Sequence, residues 1–351
     1  MNNIPEFSII IPCHNYGRFL RTAINSVLVQ SLQNYEIIIV DDASTDDTSK
    51  IVRAYGNSVK YVHLKKNIGP GAAWVEGLKH VNGKYICKLD ADDWLLNDFL
   101  IDAKKVFEID RTIGIVIASV YEYLEGEDYA KLFSVTTTDK ELKSDEFRAR
   151  LLNKFFLRMP GTVLRQEAIK DAGLPITELY IGHDWEYFLR ISKKWKSFLL
   201  EKPGVVYRLH SNSVTINAGK SNRIMKDFQF WLDVSSKKAI PYHINKKERR
   251  ALSLSMAQTY LRIQIKPNDK IFFNYRCYLH LMSAGKLAAR ESPLILPSLI
   301  WFILRSIARL LRKRIMRTIK STGMQKYNGA IHVKYLLPNE DYIISQSTNS
   351  A

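Results

Sequence analysis

Through the opening part of the chain, short continuous apolar runs alternate with stretches whose apolar positions recur at helical spacing. Phe7-Ser8-Ile9-Ile10-Ile11-Pro12 is a β-branched run ended by proline, the pattern of a central parallel strand buried on both faces. After Cys13-His14-Asn15-Tyr16-Gly17, the segment Arg18 to Gln30 carries Phe19, Leu20, Ala23, Ile24, Val27 and Leu28 along one helical face. Tyr35-Glu36-Ile37-Ile38-Ile39-Val40 predicts a second buried strand, with Asp41-Asp42-Ala43-Ser44-Thr45-Asp46-Asp47 at its carboxyl end, and Thr48 to Tyr55 predicts a helix. Val59 to Leu64 gives a third strand, Gly71 to His80 another helix, and Tyr85-Ile86-Cys87-Lys88-Leu89, past the Asn82-Gly83 turn, a fourth strand. Such alternation implies right-handed βαβ units and an α/β fold with a mostly parallel sheet between flanking helices. From about Ser221 the alternation stops, and Asn245 to Ile265 and Asp269 to Arg290 read as helices.

The charge divides the chain in a way the hydrophobic pattern alone does not. Residues 241–351 hold 19 Lys and Arg against 5 Asp and Glu, a net of +14, which leaves 33 against 30 for residues 1–240 out of a total of +17. A near-neutral region of residues 1–220, a basic helical region of 221–325 and a tail of 326–351, expected to be mobile, follow. Leu294 to Leu304 is too short for a membrane span of roughly 20 residues. Beyond it Ile307, Ala308, Leu310, Leu311, Ile315 and Met316 alternate with Arg305, Arg309, Arg312, Lys313, Arg314 and Arg317. That is the pattern of a basic amphipathic helix at an anionic membrane surface, with the same helix folded onto the near-neutral region as the alternative. No recognised nucleic-acid module and little aromatic interleaving accompany the charge, so nucleic acid is not an expected partner. Cys13, Cys87 and Cys277 are odd in number and far apart, so no disulfide framework is implied. Met1-Asn2-Asn3-Ile4-Pro5-Glu6 lacks a basic segment followed by an apolar one, so the near-neutral region is expected in the cytoplasm, peripheral to the inner face of the membrane.

The candidate chemistry sits after the fourth strand, in Lys88-Leu89-Asp90-Ala91-Asp92-Asp93-Trp94. Mg²⁺ and Mn²⁺ take oxygen ligands and keep positions open for substrate phosphates, and ligands of open α/β sheets bind beyond the carboxyl ends of the strands. Asp41-Asp42 at the end of the second strand offers acids at the same edge. The plainer alternative is that these are turn carboxylates and helix caps, Asp93 among them.

Ile9-Ile10-Ile11-Pro12-Cys13-His14-Asn15, Ile38-Ile39-Val40-Asp41-Asp42-Ala43-Ser44-Thr45-Asp46, Asn67-Ile68-Gly69 and Leu89-Asp90-Ala91-Asp92-Asp93 together resemble the nucleotide-sugar half of family 2 glycosyltransferases of GT-A fold, of the bacterial cell-envelope type. Gly161-Thr162-Val163-Leu164-Arg165, the run from Gly182 to Arg190 and Tyr207-Arg208-Leu209-His210-Ser211-Asn212-Ser213 resemble its acceptor half, so that the likeness covers roughly residues 7 to 215. It implies that Asp92 ligates the metal, Asp90 touches the ribose or the metal's water shell, Asp42 bonds the base and the loop from Pro12 to Asn15 packs on the nucleoside. It also implies His210 as a further metal ligand and Asp184, at the start of a helix, as general base; the plainer alternative is that Asp184 is a helix N-cap with Glu186 as its capping partner. The sequence departs from the family at Trp74-Val75, where Arg-Asn is common, and at His183, where an acid is usual. The missing arginine leaves Lys65, Lys66 or Arg18 as candidates for the phosphate contact.

The expected activity is that of a hexosyltransferase, the inverting, Mn²⁺- or Mg²⁺-dependent transfer of a sugar from a nucleoside-diphosphate sugar, a UDP-sugar first, to a glycan or lipid-linked acceptor in cell-envelope polysaccharide synthesis. A nucleotidyltransferase on a related sheet and a non-catalytic nucleotide-sugar-binding module are the alternatives.

Overall fold

The computed structural model describes residues 4–154, 156–214, 217, 223–236, 244–264, 285, 286, 289, 297, 300, 330–333 and 336–338. The chain divides into two compact units, one of Met1–Arg148, Phe156–Ser211 and Gly329–Ala351, the other of Ala149–Phe155 and Asn212–Asn328.

The first unit opens with β1 (Phe7–Cys13), α1 (Gly17–Leu28), β2 (Tyr35–Asp41), α2 (Thr48–Arg53), β3 (Lys60–His63), α3 (Pro70–Leu78) and β4 (Tyr85–Lys88), the expected alternation. β1 pairs in parallel with β2 and β4, and β2 with β3, in the register Ile10↔Ile38 and Ile10↔Lys88. Both faces are covered. Phe7, Ile9, Ile11 and Cys13 join Leu20, Ala23, Ile24 and Val27 of α1 in one core, and Ile10 is buried on the other face, which is why the strand is apolar, Ser8 apart, rather than alternating. On the other face α3 lies flush on the sheet, since a Cβ on Gly77 would stand 2.4 Å from Ile10 Cγ2.

The unit continues with β5 (Trp94–Leu95), α4 (Phe99–Ile109), β6 (Ile113–Leu124), β7 (Tyr129–Phe133), β8 (Lys140–Leu142), α5 (Ser144–Asn153, which runs into the second unit), β9 (Thr162–Arg165), α6 (Gln166–Ala172), α7 (His183–Ile191), β10 (Lys196–Leu209) and β11 (Ala330–His332). The sheet order is β11-β7-β6-β9-β4-β1-β2-β3, with β10 beside β6 and also paired to β5 and β8. β9 is inserted antiparallel between β4 and β6, so β1, β2, β3, β4, β6, β10 and β11 run one way and β5, β7, β8 and β9 the other.

The tail expected over 326–351 differs from this arrangement. Ala330–His332 add to the open edge of β7, and Val333 and Leu336 join a small core with Trp94, Ala130 and Val206. In the second unit, α8 (Arg223–Ser235) and α9 (Lys246–Gln264) pack together, with Phe228, Trp231, Leu252 and Met256 among their buried residues. The expected helix over 269–290, apart from isolated positions, and the basic amphipathic run to Arg317 lie outside the described residues. Among the described residues no helix is long and apolar enough to cross a membrane.

Candidate active site

The loops after β1 and β2 form one bracket. Asn15 (φ 58°) and Ala43 (φ 55°) hold left-handed backbone, a conformation that costs a non-glycine residue of order 1 kcal/mol unless its surroundings fix it. Cross-bonds do the fixing. Asn15 N–H donates to Ser44 Oγ (3.0 Å), Thr45 N–H to Asn15 Oδ1 (2.8 Å) and Gly17 N–H to Asp46 Oδ2 (2.9 Å). Asn15 itself is exposed and Pro12 half-buried at the last turn of β1.

Of the two acids ending β2, Asp41 is a structural anchor, accepting from Ser44 N–H and Tyr61 O–H. Burial pushes its carboxyl up, but the hydrogen bonds from Tyr61, Ser44 and His63 outweigh burial and hold it below the ordinary value. Asp42 carries the β2 edge to the next loop, its two oxygens accepting from Ile68 N–H (2.7 Å) and Gly69 N–H (2.9 Å).

The three acids after β4 turn out to have three different partners. Asp90 forms an ion pair with Lys88, a cation only 5% exposed. Asp92 Oδ2 lies 2.9 Å from Nε2 of the buried His210. Asp93 Oδ1 accepts from Arg208 N–H (2.7 Å), while its Oδ2 is buried without a partner. Burial, then the charges of Asp92 and Asp90, push the Asp93 carboxyl well above its ordinary value. Asp93 therefore caps no helix as the sequence suggested, because a strand, β5, follows it and α4 starts only at Phe99. Among the described residues, the side-chain partner of the third carboxylate, Asp92, is a histidine.

Asp184 lies in the first turn of α7, after Gly182 in left-handed conformation, and its Oδ1 accepts from Trp185 N–H (2.8 Å). Glu186 is not its capping partner. It is buried and bound twice to Arg190 (2.7 and 2.9 Å), whose guanidinium also donates to the Ala172 and Leu174 carbonyls. Burial pushes the Glu186 carboxyl up even against the Arg190 charge, so the pair is held at a cost and serves to fix α7. Glu186→Gln removes the carboxylate charge that faces the buried Arg190 and is expected to destabilise the protein by about 3 kcal/mol in a denaturant titration, with much of the loss regained in the double variant Glu186→Leu, Arg190→Met.

Contacts connect these elements around the edge. Tyr180, ahead of α7, lies 3.7 Å from where a Cβ of Gly69 would be, and the His183 ring 3.6 Å from that of Gly71. Burial pushes His183 down, with Asp184, Lys88 and Asp90 all close enough to act on it. Burial and then the charges of Asp92 and Asp90 raise the Tyr16 phenol, with Tyr180 beside it. The chain thus brings loops 12–17, 41–46, 67–71, 88–93 and 180–184 and residues 208–210 to one end of the parallel strands.

Three site residues escape sequence reasoning. Lys88 is the charged residue in an otherwise apolar strand, a signal available but unread. Arg208 donates to the Asp92 carbonyl (2.8 Å) and lies over Phe19, Trp94 and Tyr123. Tyr16 stands edge-on to the His210 ring (5.4 Å). The two departures from the family pattern meet in space, the rings of Trp74 and His183 lying 6.3 Å apart. Of the proposed substitutes for the missing arginine, Arg18 pairs with Glu125 and Lys65 and Lys66 are exposed.

Among the described residues no three His, Cys, Asp or Glu side chains gather into a metal cage. The Asp92 carboxylate nevertheless fits Mn²⁺ or Mg²⁺, which take oxygen ligands and complete their shell from a diphosphate and water, and the His210 imidazole beside it favours Mn²⁺ of the two. His210 Nδ1 is buried without a partner, so protein bonds leave that ring incompletely held.

A family model described as Glycosyl transferase family 2 matches residues 8–173. The chain is 44% identical over 220 residues to an uncharacterized glycosyltransferase of Rickettsia prowazekii (strain Madrid E), covering 61% of this chain and 67% of that protein. It is 45% identical over 98 residues to an uncharacterized glycosyltransferase of Rickettsia conorii, covering 27% of this chain and 16% of the relative, so that it spans about a sixth of that relative's length. Staphylococcus aureus TarS 1-349 in complex with UDP-GlcNAc is similar in fold, with a TM-score of 0.60 at 16% identity over 92% of this chain and 97% of that one. So is the mannosyltransferase PcManGT from Pyrobaculum calidifontis in complex with GDP-Man and Mn²⁺, with a TM-score of 0.53 at 15% identity over 91% and 88%.

Proposed function

The chain belongs to glycosyl transferase family 2 and has the GT-A fold, and from that premise we propose that it transfers a sugar, with inversion, from a nucleoside-diphosphate sugar to a hydroxyl of a glycan or lipid-linked acceptor. The observation that carries the proposal is the gathering of Asp42, Asp90, Asp92 and the turn bearing Asp184 at one end of the parallel strands. TarS with UDP-GlcNAc and PcManGT with GDP-Man and Mn²⁺ support a nucleotide sugar as donor and a divalent cation as its companion.

In this reading Asp42 and the bracket of Pro12 to Asn15 receive the nucleoside, and Asp90, steadied by Lys88, receives the ribose. Asp92 and His210 hold Mn²⁺ or Mg²⁺, which when bound supplies positive charge to the departing diphosphate. Asp184 Oδ1 is held by Trp185 N–H, and Oδ2 takes the proton of the acceptor hydroxyl as its oxygen attacks the anomeric carbon. A single base opposite the leaving group makes direct displacement the economical route, so an α-configured donor gives a β-linked product. Neither Cys13 nor Cys87 offers a competing nucleophile, because burial pushes each thiol up to about 12.

The basic region 221–325 is proposed to hold the protein at the cytoplasmic face of a membrane, where each cation near an anionic leaflet contributes about 1 kcal/mol. Incubation with nucleotide sugars, Mn²⁺ or Mg²⁺ and acceptor-bearing anionic vesicles tests both parts together. Release of nucleoside diphosphate with protein bound to vesicles in a salt-sensitive way is expected. Pyrophosphate release, or tight donor binding with no turnover on any acceptor, defeats the catalytic reading, and no vesicle binding at low salt defeats the membrane one.

A further inference from the structure

The acid loop is buttressed from a distant part of the sequence. Trp94, the residue after Asp93, is fully buried, and its indole Nε1–H donates to the Leu336 carbonyl (2.5 Å) across 242 positions. The segment that brings Leu336 there is anchored in its own right. Ala330–His332 pair antiparallel with Lys131, Ala130 and Tyr129 of β7, Val333 N–H donates to the Asp128 carbonyl (2.9 Å), and the Val333 and Leu336 side chains lie in the core around Trp94.

On its other side Trp94 supports Arg208. The guanidinium lies 4.8 Å from the indole centroid and 4.5 Å from the Phe19 ring, an arrangement that restricts an otherwise flexible side chain. Arg208 then fixes the acid loop at two points, donating from Nε to the Asp92 carbonyl (2.8 Å) and from its backbone N–H to Asp93 Oδ1 (2.7 Å). Two residues further on, His210 meets the Asp92 carboxylate. A continuous set of contacts therefore runs from the returning segment through Trp94 and Arg208 to the Asp92–His210 pair.

We propose that Ala330–Val333 and Leu336 act as a positioning element for the cation site, holding Trp94 so that Arg208 presents Asp92 and His210 together. The inference rests on the reading of Asp92 and His210 as cation ligands. It assigns a role to residues that touch neither donor nor acceptor. It also means that a fragment ending near residue 220 lacks part of its own catalytic unit, because the first unit resumes at Gly329, after the Asn212–Asn328 part of the second unit.

The test is a Mn²⁺ titration of the full chain by electron paramagnetic resonance, run beside thermal melting and, separately, nucleoside diphosphate binding with and without Mn²⁺. Leu336→Glu places a charge against the indole and is expected to weaken Mn²⁺ binding by about tenfold, the scale seen when residues behind metal ligands are changed. Trp94→Phe keeps a ring under Arg208 but removes the N–H donor, and is expected to show a smaller loss in the same direction. Leu337→Glu, at a position 50% exposed, is expected to match the wild type. Leu336→Met is expected to restore Mn²⁺ binding. Mn²⁺ binding unchanged in Trp94→Phe and in a folded Leu336→Glu overturns the proposal, and so does a fall in melting temperature with no change in Mn²⁺ affinity. If Leu336→Glu does not fold, Trp94→Phe decides alone. A wild-type protein that takes up Mn²⁺ but no nucleoside diphosphate counts against the functional reading and leaves this one to the Mn²⁺ titration.

Discussion

Asp184→Asn is expected to lower kcat by roughly 10³-fold while donor binding stays within about twofold, because positioned general bases contribute about 10²–10⁴-fold. Asparagine keeps the shape of the side chain and can still accept from Trp185 N–H through its amide oxygen, so the first turn of α7 has no reason to move. The helix is held independently by the buried Glu186–Arg190 pair and by Trp185, Tyr187 and Phe188 in the core. What is lost is the capacity to take a proton. Steady-state kinetics with one donor and one acceptor, beside calorimetric donor binding, checks this. A fall in kcat at constant affinity marks a group used in the transition state only. Equal kcat in variant and wild type would remove Asp184 from the reaction.

Asp92→Ala is expected to act on a different quantity, weakening Mn²⁺-dependent donor binding and lowering kcat/KM by on the order of 10²-fold or more. The variant removes the carboxylate of the loop that faces His210, since Asp90 is engaged by Lys88 and Asp93 is buried against the Arg208 backbone N–H. It also strands His210, whose Nε2 loses Asp92 while Nδ1 already lacks a partner, so a stability loss of about 1–3 kcal/mol should accompany it. Donor affinity measured with Mn²⁺ and again with a chelator separates the two effects. The variant should bind donor with Mn²⁺ about as weakly as the wild type binds it with chelator. Unaltered Mn²⁺-dependent affinity would take the cation away from Asp92.

The sheet and the edge at which the site lies were legible because each βα unit is local. Strand-forming runs such as Ile9 to Ile11 and Ile37 to Val40 are buried on both faces, and the acids that follow them fall at the carboxyl ends as the chain direction requires. The individual duties of those acids were not legible. Asp90, Asp92 and Asp93 are one motif in sequence, yet they take partners from three places, Lys88 before them and His210 and Arg208 more than a hundred residues later. Trp94 with Leu336 is the extreme case, since nothing local to either residue announces a bond between them. The meeting of Trp74 with His183 shows the same limit, because two departures from a family pattern become one feature only once α3 and α7 are side by side.

The central claim is that acids remote in sequence surround one cation and one sugar nucleotide, and a crystal structure of the protein with nucleoside diphosphate and Mn²⁺ tests it most directly. The expected result is Mn²⁺ bridging the diphosphate to Asp92, with the base near Asp42 and the Asp184 carboxylate facing the outer phosphate. Nucleotide bound away from the ends of β1, β2 and β4, or an Asp184 carboxylate turned from the diphosphate, would contradict it.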